Sequence, residues 1–227
     1  MAVSFNDYMP KIWNDLMAEF NNETGVAGIM GNLYAESGCT PYACQPTRPY
    51  PVCETYIDNV DNGVISRDDF IYHGCSADGG VSSGQLGFGL AQWTYYIRKE
   101  DLYDYMFANG SSIGDLNNQI QYVIQEIRSN PTMWSVVANA TDINTVTDYI
   151  LLNYENPKDK SVTVKKVRRG YAVDIYNEYS GSVPIEPVDP EPPSEDSSPI
   201  PWSGEIYRSE NKMPLWMMLI RRKYIAT

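Results

Sequence analysis

Residues 25–38 read GVAGIMGNLYAESG, and the reading of this stretch decides the fold. Gly25, Gly28 and Gly31 recur every third residue, so they lie close to one face of a helix. Val26, Ile29, Met30 and Leu33 form an apolar stripe at i, i+3, i+4 and i+7. A glycine costs roughly 1 kcal/mol in a helix interior. Three of them in one helix predict that another backbone packs very close. Gly38 then serves as the residue just past the helix end. The helix thus delivers one carboxylate, Glu36, to its C-terminal end. Taken alone, Glu36 reads as a solvated glutamate, because exposed glutamates are common.

The rest of the chain narrows the classes open to it. Its 227 residues suffice for one sizeable domain and an appendage, and 43% hydrophobic residues supply a core. The 18 Tyr and 5 Trp suit a core, and they also suit stacking on sugar rings. A net charge of −12 argues against nucleic acid as a partner, since a phosphate backbone calls for Lys and Arg. No run approaches the roughly 20 apolar residues of a membrane span. The start, MAVSFNDYMPKIWND, has neither a basic nor an apolar region of a secretory signal, so none is expected. Cys39, Cys44, Cys53 and Cys75 fit no zinc spacing well. Two disulfides stapling a long loop and four reduced thiols both stay open.

Along the chain, residues 6–21 keep helical period through Tyr8, Met9, Ile12, Trp13, Leu16, Met17 and Phe20. From Cys39 to about Gly89 the pattern disappears under Pro, Gly and Ser. This reads as a long functional loop with short strands, a small hairpin among them, near 64–72 and 84–93. Helices resume at 98–108, about 115–129 beginning near Asp115, from Pro131, and from Ile143 to near Tyr154. A last helix runs from Ser161, its N-cap, to Tyr179. Residues 182–200, rich in Pro, Ser and acids, read as an extended linker, so the boundary of the domain 1–181 falls near Gly181. Residues 201–227 carry MPLWMMLI and a basic flank, a docking or interfacial segment or a remnant that packs elsewhere.

A second stretch, GFGLAQWT at 87–94, brings an amide and an indole together. Gln92 can donate to and accept from sugar hydroxyls, and Trp93 could stack on a pyranose face. A buried indole beside a surface amide is the plainer reading of the same pair. With Glu36-Ser37-Gly38 at the end of the second helix, this order of motifs resembles the phage tail lysozymes, the peptidoglycan-cleaving domains of tail tips and some endolysins. Asn153-Tyr154-Glu155-Asn156-Pro157 matches the family's third segment, before the last helix. The same motifs echo the lytic transglycosylases. The resemblance spans about residues 5–180, with an insertion at 39–83 longer than the family's pattern.

The resemblance implies a mainly α, lysozyme-like α+β fold, with a small β-hairpin and a long loop flanking an active-site cleft. It implies a muramidase that cuts the β-1,4 bond between N-acetylmuramic acid and N-acetylglucosamine, with no cofactor required. Such cleavage needs a carboxylic acid whose pKa is raised by apolar surroundings; the resemblance makes that acid Glu36. Ser37, Gln92, Trp93 and Tyr154 become substrate-binding residues. For a second carboxylate, Asp68, Asp69, Asp78 and Glu155 are candidates, of which Asp78 and Glu155 lead. A lytic transglycosylase would need one glutamate only and would use the substrate's own 6-hydroxyl. Action from the virion tail and action on release from the infected cell are both open, as is a tail partner docked through 201–227. A non-catalytic glycan-binding or structural tail protein is the competing class.

Asp58 to Asp69, DNVDNGVISRDD, resembles an EF-hand loop. Asp58, Asn62, the Val64 carbonyl and Asp69 would be calcium ligands, although Val60 removes one expected position. The bland reading is a Gly-centred turn with solvated acids. His73, the single His, reads as a loop residue rather than a catalyst, and because a catalytic Cys calls for a partnering His, this argues against a cysteine peptidase.

Overall fold

The computed structural model describes residues 2–185. The elements are α1 (Met9–Phe20), α2 (Glu23–Ser37), α3 (Tyr50–Asp61), α4 (Arg67–Tyr72), α5 (Tyr96–Ala108), α6 (Leu116–Arg128), α7 (Pro131–Ala138), α8 (Ile143–Ile150), and α9 (Val162–Tyr179). A π-helical turn, Leu151–Glu155, continues α8.

Helix α2 is the axis. Asn22 caps its start by accepting from the Gly25 amide at 2.8 Å. Gly38 ends it with φ +62°, a left-handed conformation that costs glycine nothing. Residues Gly25 to Leu33 are buried without a break. The predicted close approach is found three times over. A methyl at Gly25 would sit 2.1 Å from the Val137 carbonyl oxygen of α7. At Gly28 it would meet a Val146 methyl of α8 at 2.8 Å, and at Gly31 the Cβ of Ala172 of α9 at 2.8 Å. Three helices therefore close on one glycine face, and Ile12, Leu16, Ile120 and Ile127 complete the core with α1 and α6.

Four of the later helices begin at side-chain caps. Asp115 accepts from the Asn118 amide, Asn130 from Met133, Asp142 from Thr145 and Ser161 from Val164. After α9 the chain folds back: Ile185 and Asn177 exchange two hydrogen bonds, and Ser182 donates to Glu23. The rest of the predicted linker and the segment 201–227 lie outside the described residues.

The stretch 39–89 differs from its sequence reading. It holds two helices where a loop with strands is expected, and 67–72 is α4 rather than a strand. Pro51 sits in the first turn of α3, where its missing amide costs nothing. Tyr56 and Val60, four apart, bury the face of α3, and Ser66 caps α4. The small hairpin is reduced to isolated antiparallel bridges, Cys44 with Phe88, Cys75 with Val81, and Phe88 with Trp93. All four cysteines are free and buried. No helix among the described residues is long and apolar enough to cross a membrane.

Candidate active site

A cleft of about 1430 Å³ opens where the end of α2, the loop 40–48, the turn at Gln92 and the π-helical turn meet. Glu36, Ser37, Gln92, Tyr154 and Glu155 all line it, although they come from three separated motifs. The motifs converge because Ser37 donates to the Leu90 carbonyl at 2.7 Å, tying the end of α2 to the GFGLAQWT turn. Gln92 takes φ +46° and donates to the carbonyls of Ala43 and Gly89 at 2.9 and 3.0 Å. Its donors are spent on the loop, so only its oxygen is left for a ligand.

Glu36 occupies the last turn of α2, its side chain 22% exposed. Arg168 of α9 donates to it and forms an ion pair. The same guanidinium donates to the Asn32 side-chain oxygen at 3.1 Å. Asn32 is fully buried and is itself fixed by donating to the carbonyls of Gly28 and Thr147 at 2.9 and 3.0 Å. Every side-chain polar atom of Asn32 is thus spent on orienting Arg168 and locking α2 to α8.

Glu155 ends the π-helical turn, which Asn156 closes by donating to the Leu151 carbonyl at 2.8 Å. Such turns are frequent at functional sites because they re-aim one residue. The Glu155 Oε1 atom is buried and has no hydrogen-bond partner. Burial, and next the charge of Glu36, push its carboxyl up to about 8, against the pull of Arg98 and Arg168.

Beneath the cleft lies a closed polar network. Glu126, 1% exposed, receives two hydrogen bonds from Arg98 at 2.8 Å each. The Trp93 indole donates to it at 2.9 Å and the Tyr154 hydroxyl at 2.6 Å. The Arg98 guanidinium also lies over the Tyr154 ring at 4.8 Å. This placement corrects the reading of Trp93 as a stacking platform: it is fully buried, with its N–H turned to Glu126. Tyr154 is buried too, and its hydroxyl faces the network.

Asp78 does not line the cleft. It accepts from the Ser76 hydroxyl and from the Gly80 amide in an exposed turn, and these hydrogen bonds hold its carboxyl below the usual range. The residues read as a calcium loop are likewise dispersed. Asp58 lies inside α3, and the Asn62 amide turns back on its carbonyl at 2.8 Å. Val64 is exposed in the turn between the helices. Asp69 accepts from Ser66 and faces His73. Among the described residues no group of three or more His, Cys, Asp or Glu could hold a metal ion.

Arg168, Asn32, Arg98 and Glu126 escape the sequence reading. Glu126 left one signal: it interrupts the apolar face of α6 between Val123 and Ile127. A mainly helical domain with two cleft carboxyls, one on the end of its central helix, is consistent with a lysozyme-like fold. The chain belongs to the phage tail lysozyme family, whose model matches residues 7–179. That family brings a lysozyme-like, peptidoglycan-degrading activity. No curated protein matches the chain.

Proposed function

We propose that the chain is a muramidase that cleaves the β-1,4 bond between N-acetylmuramic acid and N-acetylglucosamine. One observation carries this reading: Glu36, held by Arg168, and Glu155, with a buried and unpartnered oxygen, line one cleft. Two neighbouring carboxyls cannot both ionise cheaply, so the pair retains a proton near neutral pH. Glu36 stands at the open end of a fixed helix, where it acts as the general acid toward the leaving glycosidic oxygen. Glu155 is its proton partner and, once ionised, faces the positive charge that builds on the sugar ring. The Arg168 ion pair favours a second assignment, in which Glu155 is the acid and Glu36 the carboxylate.

Neither assignment calls on Asp78, Trp93 or calcium. Ser37 and Tyr154 shape the cleft, and the free oxygen of Gln92 accepts from a sugar hydroxyl or acetamido N–H. The wall is reached from the virion tail or on release from the infected cell, with residues 201–227 as the segment that docks a tail partner. The test is digestion of purified peptidoglycan by wild type and Glu36→Gln, with products read by mass spectrometry. Reducing muramyl ends that vanish in the variant support the hydrolase. Anhydro-muramyl ends make the enzyme a lytic transglycosylase, and a wild type that cuts no wall type returns the chain to glycan binding or tail structure.

A further inference from the structure

Six arginines fall among the described residues, and five of them are paired with carboxylates. Arg67 meets Glu100 and Asp104, Arg98 meets Glu126, Arg128 meets Glu19, Arg168 meets Glu36, and Arg169 meets Asp148. Arg48 is the exception. It lines the cleft with Glu36 and Glu155, and it makes no ion pair and donates no hydrogen bond among the described residues. Its Nε is buried without a partner. In a chain of net charge −12, carboxylates are plentiful, so an unpaired guanidinium in the cleft is a costly arrangement. Its place is set by the fold: the Arg48 carbonyl accepts from the Cys53 thiol of α3, and Pro49 caps that helix. Lys158 and Arg98 are the other cations in the described lining, and Arg98 is already paired with Glu126.

A guanidinium binds a carboxylate through two parallel hydrogen bonds. In the wall glycan every muramyl sugar bears a lactyl ether that ends in a carboxyl or in a peptide with carboxylates. A polymer of N-acetylglucosamine alone bears neither. We infer that Arg48 is a specificity-determining residue of the cleft, which binds a carboxylate of the muramyl substituent and so sets wall glycan apart from chitin-like glycan. This inference rests on the glycosidase reading of the same cleft.

The experiment is calorimetric titration of the full-length Glu36→Gln protein with three probes. These are chitotetraose, a muramyl-containing tetrasaccharide stripped of peptide, and the same tetrasaccharide with its peptides. The inference expects Arg48→Gln to weaken both or one of the acidic probes about tenfold, as expected for loss of a charged hydrogen bond. Chitotetraose should bind unchanged, and Arg48→Lys should recover part of the loss. Weakening of the peptide-free probe alone assigns the lactyl carboxylate, weakening of the peptide-bearing probe alone assigns a stem-peptide carboxylate, and weakening of both means that Arg48 follows whichever carboxylate the lactyl arm carries. Equal weakening of all three probes, or of none, at an unchanged melting temperature overturns the inference alone. Failure of every probe to bind before Arg48 is altered overturns the glycosidase reading, and this inference with it.

Discussion

Two arginine–glutamate pairs lie close together in this fold and do different work. In Arg98–Glu126 the carboxylate is sealed beneath the cleft, satisfied by Arg98, the indole of Trp93 and the hydroxyl of Tyr154, while Arg98 touches the cleft lining. Arg168–Glu36 is sealed on the arginine side only, where Asn32 holds it, and its carboxylate reaches the cleft. A fully satisfied carboxylate such as Glu126 has nothing left to offer a substrate and holds helices together. A pair open on one side keeps a carboxyl in position while leaving it free to react. On the reading proposed above, burial and charge alone do not mark the catalytic residue; the side on which the pair is open does.

The comparison can be broken first at Glu36. Glu36→Gln is expected to lower turnover on the order of a hundredfold to ten-thousandfold, the range of general acid catalysis, at a smaller stability cost than Glu126→Gln, because Arg168 keeps its hydrogen bonds to Asn32. Glu126→Gln should show the reverse pattern. It leaves Arg98 buried without its charge partner, a loss of about 3–5 kcal/mol in denaturant unfolding. Residual activity in the folded fraction should survive. Were Glu126→Gln stable and inactive, the sealed network would belong to the chemistry.

Gly25→Ala probes the frame that holds both pairs. Its new methyl meets a backbone oxygen that cannot turn aside, so a cost of about 1–3 kcal/mol is expected. Lys99 offers a smaller and pH-dependent effect. It is fully buried, donates to the His73 and Leu86 carbonyls, and lies 4.6 Å from the Phe70 ring. Burial lowers its pKa to about 7. Between pH 7 and its ordinary value near 10.5 the unfolded chain holds the proton and the folded chain does not, so stability gains as pH rises through that window. Melting curves of Lys99→Met should lack that rise.

Much of the frame was legible because it is local and periodic. The glycine spacing of α2 announced close packing, and Asp115 and Ser161 announced helix starts. The 46–51 region misled because proline in a first helical turn and proline in a loop look alike, and only the burial of Tyr56 and Val60 separates them. Trp93 looked like a ligand platform because an indole next to an amide has no local sign of which side faces solvent. The partners of the cleft were invisible for a different reason. Arg168 and Glu36 lie 132 residues apart, and Arg98 and Glu126 lie 28 apart. Long-range pairing leaves no periodicity to read, and without the fold Arg48 is one arginine among several.

The central claim is that the two cleft carboxyls act as a pair. The pH profile of kcat/KM for wild type and Glu155→Gln tests it most directly. Wild type should lose activity on the alkaline side with a midpoint of about 8, the value to which Glu155 is pushed. Glu155→Gln should be much slower, and its alkaline loss should no longer fall at that midpoint. A Glu155→Gln enzyme with wild-type rate and an unchanged profile would contradict the pair and leave Glu36 to act alone.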